Sequence, residues 1–320
     1  SVEGLSLGRD ISANSGTDIR DADAPSHLRI AERKVGEIVR VKQSWLKHRP
    51  WSFLGGFAQS SATKAFVHLL EGQVYVPGEG IVSRKLPTCG LGEIATLGPD
   101  PRDVYDGFSL SEDAVTEYPS LWGHDADVVT TMKASPNMHL APLAAALPGR
   151  NLRDISLLWP RAGRIAVAMR IRLNTKRMMA VRLPKRVLSD VWWPLALRPS
   201  WGIAGREKAL VLWLNSTPAI LIWLGHREDT EGAWVQFKKP VLERMPVLDV
   251  AKVGAKCLRR LAAAYDRLCG KSLLLIPELA VDATRKAIDD ALSSALGLPD
   301  FSPWRELLSR EPVLAGSLDR

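Results

Sequence analysis

Between Ala209 and Leu224 only Asn215, Ser216 and Thr217 are polar. A segment that is apolar on every side has to be enclosed, so the fold must build around it. At about sixteen residues it is shorter than the roughly 20 needed to cross a bilayer, and Pro218 interrupts it. The pattern predicts a buried helix ending near Asn215 and a second helix or turn starting at Pro218, with Ser216 or Thr217 as its cap.

The 320 residues suffice for two or three folding units. Upstream of the apolar run, Ile165, Val167, Met169, Ile171 and Leu173 alternate with Ala166, Ala168, Arg170 and Arg172. A period of two predicts a strand with one face on a core and two arginines on the other. Met178 to Leu183 and Val191 to Leu197 read as further strands. Downstream the period becomes helical, with Leu258, Leu261, Ala262, Tyr265 and Leu268 on one face of a helix over 256–268. Asp282 is placed to cap a helix that Gly297 would close, and Ser302-Pro303 opens a last short one. Strands followed by helices, without a βαβ rhythm, give an α+β fold class.

Nearer the N terminus, residues 1–26 read as a flexible leader rich in Gly, Ser and Asp. The apolar spacing from His27 to Lys47 predicts an amphipathic helix. Residues 51–86 read as short strands or hairpins, with Phe53-Leu54-Gly55-Gly56-Phe57 as a tight turn. The expected organisation is a leader (1–26), a helix with a small β region (27–86), a strand-rich unit (87–249) and a helical segment (250–320).

Charge is unevenly spread. From Glu93 to Asp127 nine acids face one arginine, whereas residues 141–210 hold fourteen bases and three acids. The net charge of +8 is thus smaller than the excess in that one stretch. The acidic segment would avoid a phosphate backbone and the basic one would seek it.

Catalytic patterns are few. No Pro-Pro pair occurs, so the Asn/Asp-Pro-Pro-aromatic loop of N6-adenine methyl transfer is absent from these residues. There is no GxxxxGK[ST] and no GxSxG. Glu32-Arg33-Lys34 is half of a nuclease motif without its upstream acid. The six histidines show no HxxxH spacing, which argues against zinc. Cys89, Cys257 and Cys269 are too few and too scattered for a disulfide framework and fit a reducing, cytoplasmic setting.

Nucleic-acid binding suits the composition better. Residues 150–186 concentrate the cations that would neutralise phosphates. Asn174, Lys176, Arg177, Gln236 and Lys238 have side chains able to reach base edges. Trp122, Trp159, Trp201 and Trp234, in or beside loops, could fill the gap left by an extruded base, although their size favours plain core packing.

A family resemblance adds to this. Leu91-Gly92-Glu93-Ile94-Ala95 resembles the opening strand of target-recognition domains in restriction–modification specificity proteins. Lys208 to Thr217, containing Leu214-Asn215-Ser216, is similar to their helix ending in a Leu-Asn-Ser phrase. Gly232 to Lys239 fills the glycine-containing variable loop, and Val241 to Leu248 matches the closing aliphatic phrase. Over roughly residues 88–270 the chain resembles the C-terminal specificity region of an N6-adenine DNA methylase.

That resemblance implies a curved, strand-rich domain that reads double-stranded DNA and is not itself catalytic. S-adenosylmethionine would belong to a missing catalytic portion or a methylase or restriction partner, with no cofactor in this chain and no membrane. Arg161, Arg164, Arg170, Arg172, Asn174, Lys176, Arg177, Lys185 and Arg186 would form a continuous basic surface on the backbone. Trp234, Gln236, Lys238 and Lys239, with the Trp122-Gly123-His124 loop, would approach the groove. The alternatives are a divergent nuclease or methyltransferase, and an assembly domain whose helices at 250–320 dock a methylase partner.

Overall fold

The computed structural model describes residues 57–82, 85–111, 115–198, 204–230 and 234–315, and the backbone of three strands nearer the N terminus. Those strands, β1 (Val2–Leu7), β2 (Ser26–Ile30) and β3 (Arg33–Val41), form an antiparallel sheet in the order β1-β3-β2. The helix expected over 27–47 is therefore replaced by two strands, and the expected leader contains a third. The β-branched residues Ile30, Val35, Ile38, Val39 and Val41 favour extended backbone over helix.

Helix α1 (Ser60–Leu70) follows, where a short strand was expected from Ala65 to Leu70. Ala62, Ala65, Phe66 and Leu69 are fully buried at helical spacing. A hairpin of β4 (Val74–Val76) and β5 (Gly80–Val82) comes next. The tight turn expected at 53–57 lies almost wholly outside the described residues.

Next come β6 (Thr88–Gly90), a helical turn at Leu91–Ile94 and β7 (Ala95–Leu97). The expected opening strand is thus a turn of helix before a shorter strand. Glu93 holds that turn, accepting a hydrogen bond from the Gly90 N–H at 2.7 Å. Then come β8 (Phe108–Ser111), β9 (Tyr118–Leu121), β10 (Met138–Pro142), β11 (Gly163–Ala168), β12 (Arg170–Arg172), β13 (Ala180–Ser189) and β14 (Trp192–Leu197).

Seven of these form one sheet in the order β7-β14-β11-β13-β9-β10-β8. All its pairings are antiparallel except β13 with β9. At Gly163 the strands approach so closely that an added Cβ would lie 2.3 Å from the Leu195 carbonyl oxygen. Only glycine fits there.

Helices α2 (Ala204–Leu214) and α3 (Thr217–Gly225) take up the apolar run, as the sequence predicts. Every residue from 209 to 226 is buried. The helices meet at 68°, and the Ser216 side chain caps α3 by accepting from the Ala219 N–H. No single helix among the described residues is long and apolar enough to cross a membrane; this bent pair passes that test together, by length and composition only.

The small strands β15 (Glu228–Asp229) and β16 (Trp234–Gln236) pair with β12 in the order β12-β16-β15. β17 (Pro246–Leu248) pairs antiparallel with β6, which brings residues 88–90 beside residues 246–248. Helices α4 (Ala255–Leu268), α5 (Ala283–Leu296) and α6 (Ser302–Ser309) follow, and a short helical turn at Pro312–Ala315 ends the described chain. Asp282 caps α5 by accepting from the Thr284 and Arg285 N–H groups, and Gly297 closes it with φ 68°. The fold class is α+β.

A buried polar knot ties the helices to the sheet at the α2–α3 bend. Asn215 Oδ1 accepts from the Met179 and Ala180 N–H groups at 2.8 and 3.3 Å. Its Nδ2 donates to the Ala180 and Val211 carbonyls at 2.8 and 2.9 Å. The Asn215 carbonyl accepts from Arg285, which also donates to the Arg177 carbonyl. Thr217 donates to both oxygens of Asp289, and Arg305 pairs with the same carboxylate. The Leu214-Asn215-Ser216 phrase therefore has a structural cause: its amide replaces a missing ladder partner on β13.

Candidate nucleic-acid interface

At Met169 the chain leaves the large sheet for the small one, and the Phe237 N–H donates to the Met169 carbonyl at 2.8 Å. Beyond it Arg170 pairs with Gln236, Ile171 with Val235 and Arg172 with Trp234. Ile171 and Val235 are buried. Pleating therefore puts Arg170, Arg172, Trp234 and Gln236 together on the opposite face. The Arg172 guanidinium lies 4.7 Å from the Trp234 ring centroid and that of Arg170 5.0 Å. Both cations are attracted by the ring quadrupole and are held flatter and less mobile than free arginines.

Glu228 on β15 stands opposite Gln236 on the same face. Its Oε2 accepts from Lys238 Nζ at 2.6 Å and lies 3.5 Å from Gln236 Nε2. The acid is neutralised within the cluster and orients the amide. Sequence reasoning missed Glu228; the alternation Glu228-x-Thr230 shortly before Trp234-x-Gln236 was its only signal.

Four more of the expected residues remain exposed. Asn174 sits in the turn between β12 and β13. Lys185 and Arg186, with Pro184, lie on a wide irregularity in β13: Gly163 pairs with Val187 but Ile165 with Arg182. The four intervening residues face Arg164 alone, and Pro184 has no N–H to give the ladder. The bulge pushes Lys185 and Arg186 into solvent. Lys238 is exposed although paired with Glu228.

Most of the other cations are engaged by groups of the protein itself, Lys176 buried and Arg161, Arg164, Arg177 and Lys239 half-buried, which corrects the continuous basic surface. Lys176 is 5% exposed, ion-paired to Asp127 and set 4.3 Å from the Trp192 ring centroid. Burial lowers its pKa and Asp127 partly restores it. Arg177 donates to the Leu273 carbonyl at 2.8 Å. Arg161 and Lys239 both donate to the Gly98 carbonyl, at 3.1 and 3.0 Å. Burial, then the neighbouring Arg161, lowers the Lys239 pKa. Arg164 faces Glu207 at 3.8 Å, and the same carboxylate holds Arg182 at 2.8 Å. The acidic run itself folds back onto the basic one: Arg150 pairs with Asp106 and Arg153 with Asp103.

The expected aromatic wedges also divide. Trp122 is 7% exposed and packs edge-on against Tyr105, although the neighbouring His124 is exposed. Trp159 packs edge-on against Tyr118. Trp201, Gly232 and Ala233 lie outside the described residues. Trp234 alone of the four combines partial exposure with cationic neighbours among the described residues. No group of three or more His, Cys, Asp or Glu is placed to hold a metal ion among the described residues.

No family model matches the chain, and no curated protein matches it. Among solved structures it is similar to the HsdS subunit from Thermoanaerobacter tengcongensis. The identity is 14% and the TM-score 0.31, over 80% of this chain and 50% of that one. The chain thus spans about half the length of that subunit.

Proposed function

We propose that this chain is a sequence-specific double-stranded DNA recognition module of a restriction–modification or phage-defence system. In this reading it is non-catalytic and works in a cytoplasmic setting beside an N6-adenine methylase portion or partner. The supporting observation is the β12–β16 face. Small β-sheets can place strands in a DNA groove, arginine is suited to the O6 and N7 atoms of guanine, and glutamine to the N6 and N7 atoms of adenine. Arg170, Arg172 and Gln236 present those groups from one ribbon, and Trp234 holds both guanidiniums in place. Asn174, Lys185, Arg186 and Lys238 supply further phosphate or base contacts. S-adenosylmethionine does not suit this face, because its sulfonium would meet two guanidiniums; the cofactor is assigned to the partner or the further portion.

The test is fluorescence anisotropy with a pool of random duplexes at several salt concentrations, followed by sequencing of the bound fraction. The expected result is binding that weakens linearly on a log–log salt plot, with enrichment of a defined sequence. The combined Arg170→Gln, Arg172→Gln and Trp234→Ala variant should lose that enrichment. Binding by the wild type without any sequence preference would overturn the reading.

A further inference from the structure

The face of α4 turned away from the core is a row of cations. Lys256, Arg259, Arg260 and Arg267 are exposed, and Lys271 continues the row just past the helix end. At 100° per residue the four helical cations fall within about 100° of arc, with Ala263 in their midst. None of the five has an ion-pair partner among the described residues. Asp266, the exposed acid of this helix, is held instead by Lys208 on α2 at 2.7 Å. The opposite face carries Leu261, Ala264, Tyr265 and Leu268 and is buried. At the far end the row meets Lys133: an added Cβ on Gly270 would lie 3.6 Å from its Nζ.

We infer that this face of α4 is a second, sequence-independent contact with the phosphate backbone of duplex DNA. The inference rests on the reading that the chain binds duplex DNA. Unpaired like charges on one helix face repel each other and gain nothing for the fold. A polyanion offsets that repulsion and releases its own condensed counterions. From Lys256 to Arg267 the helix rises about 17 Å, the axial length of about five base pairs of duplex. An acidic protein is the poorer fit. Stable protein interfaces have an apolar core, and this row exposes no large apolar side chain. The ribbon face would then specify sequence while α4 contributes affinity and salt dependence.

The experiment compares salt slopes for three full-chain proteins on a random duplex pool. The variant Arg259→Gln, Arg260→Gln, Arg267→Gln should bind every sequence more weakly by the same factor. Its log–log slope should be shallower by about 3, near one unit for each phosphate that is no longer neutralised. Arg259→Lys, Arg260→Lys, Arg267→Lys should keep the wild-type slope, which separates charge from helix damage. An unchanged slope in the glutamine variant overturns the inference. So does displacement of α4-bound DNA by polyglutamate as readily as by competing duplex. The two readings fail separately. If the glutamine variant keeps its slope while the β12–β16 variant loses sequence preference, only the α4 contact falls. If the glutamine variant loses slope while the β12–β16 variant keeps its preference, only the recognition reading falls.

Discussion

Arg172 stands directly across the ladder from Trp234, with its guanidinium 4.7 Å from the indole centroid, and Arg170 covers the same ring from the next same-face position. A cross-strand pair of this kind sets the direction of a side chain that solvent would otherwise let wander. The ring contributes little to the core, so its removal should disturb recognition more than folding.

Trp234→Ala is therefore expected to cost about 1–3 kcal/mol of duplex binding, the range of a good base contact. Trp234→Phe should recover part of it, since phenylalanine keeps a weaker quadrupole. Anisotropy titrations check the binding, and parallel urea melts should show unfolding free energies close to the wild type. A large loss of stability in Trp234→Ala would mean that the stack supports the small sheet instead.

Asn215 makes the opposite case. Its side chain donates twice and accepts twice, entirely within the core. Asn215→Ala removes these partners from the Met179 and Ala180 amides and from the Ala180 carbonyl, at about 1–3 kcal/mol for each group left unmade. The expected loss is about 3–5 kcal/mol, at the upper end for a single substitution. Asn215→Asp keeps the acceptor but loses both donations and buries a charge, so it should be no better. Urea denaturation monitored by circular dichroism measures both.

Lys176 tests whether charge read along the chain finds binding residues. It is buried against Asp127 and Trp192, so Lys176→Ala should lower stability by about 1.5–3 kcal/mol, the range for hydrogen bonds to charged groups. The same variant should leave the salt slope of DNA binding where it was. A slope shallower by one unit would show that Lys176 swings out to a phosphate.

Much of the fold was legible because local chemistry and packing agree. Pro218 and Ser216 mark the bend between α2 and α3, and Asp282 and Gly297 bracket α5. The alternation from Ile165 to Leu173 gives real strands, but the ladder breaks at Met169 and Ala166 and Ala168 are buried as well. That break hands Arg170 and Arg172 to a second sheet. Charge was the less faithful guide. A run of arginines says nothing about which acids the fold returns to it, and Asp103, Asp106 and Asp127 come back to Arg153, Arg150 and Lys176. Within that run, side chains kept from such partners by pleating, at Arg170 and Arg172, or by a bulge, at Lys185 and Arg186, stay available. The α4 row escaped notice because its cations are spaced by helix turns instead of clustered in sequence.

Cys89 supplies a pH-dependent test of the β6–β17 closure. Burial, with the nearby Asp249 and Glu93 carboxylates, pushes its thiol up to about 12 from an ordinary value of 9.0. Each cause disfavours the thiolate, which is the reactive species. At pH 8 the thiolate is therefore far scarcer than in an unperturbed cysteine. In a chain with Cys257 and Cys269 replaced by serine, iodoacetamide should react with Cys89 far more slowly in the native protein than in urea. The native rate should keep rising tenfold per pH unit up to about 11 while the fold persists. The sign on stability follows from the same shift: the folded state holds the proton longer, so the β6–β17 region weakens as pH climbs from 9 towards 12. Cys89→Ser, with no thiol to ionise there, should flatten that alkaline loss in a thermal-melt series. Equal native and denatured alkylation rates at pH 8 would show that this closure opens freely, and that residues 88–90 and 246–248 are not held together as the β6–β17 pairing describes.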